Sequence, residues 1–218
     1  MEHDSAALNE LLQRGLKAVP VTIFGEQVVV GFNPRALALL FGIKDDANVG
    51  LAAAAMVAKF EIVFAAAMRA TRQLPPERLD WVSPERERTL RQFTFHLIDR
   101  AERALNAYQV GAYTEEDAGR DVSGVLGLVD FKRTARYGEE VLRRVKGALT
   151  GSVPLDLGRV LDTYMGPKTT GELLDLALGH SVHHLKQLYQ YMSLIGLEPL
   201  APLGPSDLEG IAVPTELF

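Results

Sequence analysis

Apolar positions follow two different periods along the chain, and the change falls near residue 48. Upstream, VPVTIF and QVVVGF are β-branched runs parted only by Gly25-Glu26, which is hairpin spacing. A short helix over 4–15 precedes them, with Asp4 or Ser5 as its cap and Gly15 as its stop. After them Asn33 and Pro34 pair an N-cap with a first-turn proline for RALALLFG, which stops at Gly42. Residues 1–43 therefore predict an α-β-β-α segment, followed by the linker KDDANVG. Two strands are too few for a stable sheet. This segment is expected to pack on the rest of the chain or pair with a second copy, so a homodimer is the expectation.

Downstream the period is helical throughout. A first long helix is predicted over about 49–73, stopped by Pro75-Pro76. A second is predicted to start at Ser83 with Pro84 next, and Leu90, Phe93, Leu97, Ala101, Ala104 and Tyr108 form its apolar stripe. The third spans about 122–149 with a break expected near Gly138. The fourth opens on Thr169 with Glu172 at capping-box spacing and closes at Gly196 ahead of Pro199. Four such helices bury their stripes most readily as a bundle over 50–200, and the Pro- and Gly-containing residues 201–218 form a tail.

The fourth helix carries the densest chemistry. Leu173, Ala177, His180, His184, Leu188, Tyr191 and Ile195 are spaced by threes and fours, so His180 and His184 stack one turn apart on the bundle-facing stripe. His183 falls off that line and is expected to be exposed. An i, i+4 histidine pair can ligate one ion, and it can equally be a polar pair satisfied in some other way. The second helix offers a third imidazole, His96, at the edge of its apolar stripe, with Asp99 one turn further on. Burying imidazoles without partners costs free energy that an ion would offset.

The rest of the composition narrows the chemistry. There is no cysteine, so no thiolate nucleophile, disulfide or Cys-based zinc site is possible, and a metal must be held by His and carboxylates. The net charge of −5, with no basic run longer than Arg143-Arg144, argues against a nucleic-acid surface. Lys59 and Glu61 interrupt the most apolar stretch, Leu51 to Met68, and argue against a membrane span. MEHDSAALNE has no secretory pattern, and a cytoplasmic location is the expectation.

Two stretches resemble known families. LDWVSPERERTLRQFTFHLIDRAERAL is similar to the second-helix signature of the DinB-like (YfiT-like) metal-binding bundles, and GHSVHHLKQLYQYMSLIGLEP to their final helix. The likeness covers about 50–200. It implies a four-helix bundle holding a divalent ion, Ni or Zn foremost and Fe also compatible, through His96, His180 and His184. GLKAVPVTIFGEQVVVGFNPRALALLFGI resembles the C-terminal half of a glutaredoxin, including the Val19-Pro20 that is cis in that half-thioredoxin fold. Its first strand and Cys-x-x-Cys helix are missing, so residues 1–43 cannot carry redox chemistry.

Characterised relatives of the bundle include transferases and isomerases that use low-molecular-weight thiols. The resemblance thus implies activation of a small-molecule thiol toward an electrophile. Two other readings stand beside it. One is a hydrolase with metal-activated water, for which Asp99 is the nearest candidate base, and the other a non-enzymatic metal-stabilised binding or structural dimer. Trp81, Phe93 and Phe95 could line a pocket beside the ion, or be core.

Overall fold

The computed structural model describes residues 5–16, 21–30, 34–43, 51–84, 88–119 and 127–213. By chain contacts it divides into two units, Met1–Asn48 and Val49–Phe218. The first contains helix α1 (Ser5–Gln13), strands β1 (Val21–Phe24) and β2 (Gln27–Val30), and helix α2 (Pro34–Leu40). The strands pair antiparallel with Phe24 opposite Gln27, so Gly25 and Glu26 make the turn, and Gly25 takes the positive φ of 59° that a tight hairpin requires. The Phe24 ring meets Phe41, just beyond α2, edge-on at 5.5 Å. The expected caps Asp4 and Asn33, the Val19-Pro20 bond and the linker lie outside the described residues.

The second unit is built on four long helices: α3 (Ala53–Gln73), α4 (Leu90–Val110), α6 (Phe131–Thr150) and α7 (Thr170–Leu194). Helices α3 and α4 each pack on both α6 and α7, which places α3 and α4 across the diagonal of a four-helix bundle. The centre is apolar, with Phe60, Phe64, Leu97, Ile98, Leu174, Leu178 and Leu188 almost wholly excluded from water. Helix α7 carries the predicted capping box, Thr169 with Glu172, and ends as expected at Gly196 with φ of 79°.

Three boundaries differ from the sequence reading. Helix α4 starts seven residues after Ser83, because Thr89 and Gln92 form a reciprocal capping box. The Ser83 amide instead donates to the Arg88 carbonyl, and Val82 bridges Thr89, so the chain turns back on itself before the helix. Helix α6 begins at Phe131, where the Asp130 side chain caps the Arg133 amide, rather than near residue 122. It then runs through Gly138 without a break. A Cβ at that glycine would stand 3.0 Å from Met68 Cγ and 3.1 Å from Ile98 Cδ1, so Gly138 lets α3, α4 and α6 approach closely.

Between the ends of α4 and α7 lies a feature the sequence pattern does not reveal. Strand β3 (Ala112–Tyr113) pairs parallel with β4 (Val160–Thr163), and β4 pairs antiparallel with β5 (Lys168–Thr169), which leads directly into α7. A single-turn helix α5 (Glu115–Gly119) follows β3. The residues after α7 are fastened to α3. Arg69 donates to the Leu200 and Ala201 carbonyls, Gln73 accepts from the Leu200 amide, and Lys59 donates to the Asp207 carbonyl. No helix among the described residues is long and apolar enough to cross a membrane.

Candidate metal centre

Helices α4 and α7 run antiparallel. The buried Ser181 hydroxyl donates to the Leu97 carbonyl across the interface at 2.8 Å. One residue to either side of that clip stand His180 and His96. Their rings meet edge-on at 4.7 Å, while His184 lies 4.8 Å from His96 and 4.3 Å from His180.

All three imidazoles can point one ring nitrogen at a common centre, and those nitrogens lie within 4.8 Å of one another. Two nitrogens each about 2.1 Å from one zinc-sized ion can be at most about 4.2 Å apart, and about 3.4 Å in tetrahedral geometry, so the rings would draw closer to share it. Protonation does not compete for the lone pairs of His96 and His180 at neutral pH. Burial first, and then the positive charges of His184, Arg88, Arg100 and Arg103, holds His96 far below the usual imidazole value. Burial first, followed by His184, His96 and Arg100, does the same to His180, while a hydrogen bond with the His96 backbone acts in the opposite direction.

Two details favour an ion over an ordinary polar cluster. His180 Nε2 is buried and finds no hydrogen-bond partner among the described residues, which would cost about 1–3 kcal/mol if nothing met it. His184 Nδ1 lies 2.6 Å from Gln187 Oε1. A carboxamide oxygen only accepts, so Nδ1 carries a proton, and Nε2 is the nitrogen that could meet an ion. Three imidazole nitrogens, one of them oriented by an outer hydrogen bond, form the donor set of an open three-histidine site. The residues present fit a divalent ion.

A family model described as DinB superfamily matches residues 59–188, which is more than half of the chain and includes all three histidines. The chain belongs to the DinB superfamily. Curated protein sequences gave no match. This superfamily is metal-binding, in keeping with the three close histidines of α4 and α7. The match does not reach residues 15–43 and lends nothing to their likeness to glutaredoxins.

Among DinB residues singled out in the sequence, His183 is half-buried rather than exposed. Its ring lies 5.1 Å from that of His184, but it is not part of the converging set. Phe93 is buried against both His184 (5.3 Å) and Tyr191 (4.9 Å), and Trp81 extends that aromatic wall at 5.7 Å from Tyr191. Phe95 faces the other way and stacks on Tyr137 of α6, so it is core. Asp99 is also turned toward α6, where Arg103 forms an ion pair with it and the Tyr137 hydroxyl donates to its Oδ1 at 2.9 Å. Gln187 was legible as a partner only from its i+3 spacing to His184. Arg100 and Tyr113 carried no signal, since their contact joins a helix to a strand too short to predict.

Proposed function

We propose that the chain is a divalent-metal protein that activates a low-molecular-weight thiol at the His96, His180 and His184 site for transfer to an electrophile. The reading rests chiefly on one observation: three imidazoles converge with an orphaned nitrogen among them, in a protein with no cysteine of its own. A divalent ion held there supplies Lewis acidity that lowers the pKa of a thiol bound at its remaining position. The protein's part is to hold the imidazoles fixed, with His96 and His180 kept neutral by burial, Gln187 orienting His184 and the Phe93–Tyr191–Trp81 wall limiting water on that flank. In the transfer the thiol proton goes to solvent, sulfur bonds to the electrophilic carbon, and the leaving group departs with the bonding pair.

The environment of Asp99 weighs against the hydrolytic alternative. Both carboxylate oxygens are engaged, by Arg103 and by Tyr137, so this side chain is not placed to take a proton from water beside the histidines. Cobalt-substituted protein provides the test. Addition of a simple thiol is expected to produce a sulfur-to-cobalt charge-transfer band, and zinc- or nickel-loaded protein to conjugate the thiol to a chloronitrobenzene. A spectrum indifferent to every thiol, with no conjugation, would rule the reading out.

A further inference from the structure

Arg100 follows His96 by one turn on α4, so the two side chains lie on the same face of the helix. It is half-buried, and its Nη1 donates to the Tyr113 hydroxyl at 2.6 Å. Tyr113 is itself only 5% exposed and sits on β3, whose backbone is bonded to β4, so the guanidinium is tethered to a fixed strand. That tether is neutral. Among the described residues no carboxylate pairs with Arg100, whereas Arg103 beside it is paired with Asp99, and Arg144 with Glu102.

A partly desolvated guanidinium without a counter-ion is unfavourable, and here it stands next to a donor set that contributes no negative charge. A divalent ion on three neutral imidazoles would add two further positive charges. Nothing in the donor set offsets them, so the bound molecule is the natural source of compensating charge. Arg100 keeps most of its N–H donors for that purpose, in the planar fork that grips a carboxylate with two parallel bonds. Its charge is also felt at both His96 and His180.

We propose that Arg100 is the anion-recognition residue of this site, and that the molecule bound beside the three histidines carries a carboxylate that Arg100 holds. The inference deepens the thiol-transfer reading and rests on it for the ligand's position. The carboxylate could belong to the thiol or to the electrophile, and the two are separable by experiment.

In the first arm, full-length cobalt-loaded protein is titrated with mercaptoacetate, 3-mercaptopropionate and 4-mercaptobutanoate, and with the methyl ester of each, while the visible spectrum is recorded. In the second, the same protein is titrated directly with 4-chloro-3-nitrobenzoate and with 4-chloro-3-nitrobenzamide, and the affinity of each is read from the change in the cobalt spectrum. In one arm at least, the charged member should bind about tenfold more tightly, the weight of one charge-assisted hydrogen bond. The arm that shows this preference identifies the partner bearing the carboxylate. Arg100→Gln should reduce the preference to within about twofold, and Arg100→Lys should retain part of it. An unchanged cobalt spectrum before ligand is added shows that each variant still holds the site. Equal binding of charged and neutral members in both arms, or a preference that survives Arg100→Gln, overturns the inference. If every thiol leaves the spectrum unchanged, the thiol reading falls by itself, and the benzoate arm still decides the role of Arg100.

Discussion

Gln187 makes no contact that would bind an ion, yet the tautomer of His184 depends on it. Replacing it with alanine is expected to lower metal affinity by about 10–100-fold, read by competition against a chromogenic chelator, with little change in fold. His183→Ala should leave affinity where it was, because that ring stands outside the converging set. Asp99 separates stability from chemistry. Its side chain is 5% exposed and paired with an Arg103 that is 11% exposed, so Asp99→Asn leaves a buried cation short of its partner and should cost about 3 kcal/mol in urea unfolding. Metal stoichiometry should not change. Loss of the ion in Asp99→Asn, with the fold intact, would show that the carboxylate supports the site directly.

At the scale of elements, two glycines on long helices predict opposite outcomes. Gly147 on α6 has open space around a would-be Cβ, so Gly147→Ala should stabilise by up to about 1 kcal/mol. Gly179 on α7 is different, because a Cβ there would stand 2.4 Å from the Ala212 carbonyl oxygen. That oxygen belongs to backbone and cannot swing aside, so Gly179→Ala should destabilise by about 1 kcal/mol or more and expose the segment after Leu197 to proteases. Both shifts are measurable by denaturant midpoint.

The sequence read well wherever the governing contacts were local. The Thr169 box, the Gly196 stop and the His180/His184 stripe each depend on neighbours within four residues. It read poorly where the partner was distant. Ser83-Pro84 and Thr89-x-x-Gln92 are both plausible helix starts, and the choice is made by the fold-back that brings the Leu90 amide to the Trp81 carbonyl. Gly138 looked like a breaker because the close approach of Met68 and Ile98, which explains it, comes from other helices. The two-residue strands β3 and β5 are shorter than any periodic signal, so the anchoring of Arg100 by Tyr113 could not be foreseen.

For the whole molecule, the buried neutral histidines tie stability to pH. Unfolded chains take up protons at these side chains near pH 6.5, while His96 and His180 in the fold do not. The unfolded state therefore binds more protons in acid. In metal-free protein, stability is fully present above about pH 6.5 and declines as pH falls below it, by at most about 1.4 kcal/mol per unit for each such histidine. Thermal melts from pH 8 to 5 in chelator should show that slope, and His96→Ala should make it shallower. Saturating zinc or nickel should raise the melting temperature of the wild type above that of chelated protein. The most direct measurement is equilibrium dialysis of untagged protein against zinc or nickel, wild type beside His96→Ala, His180→Ala and His184→Ala. The account predicts one ion per chain in the wild type and affinity lowered by at least about a hundredfold in each variant. Binding unchanged by all three substitutions, or no binding in the wild type, would contradict it.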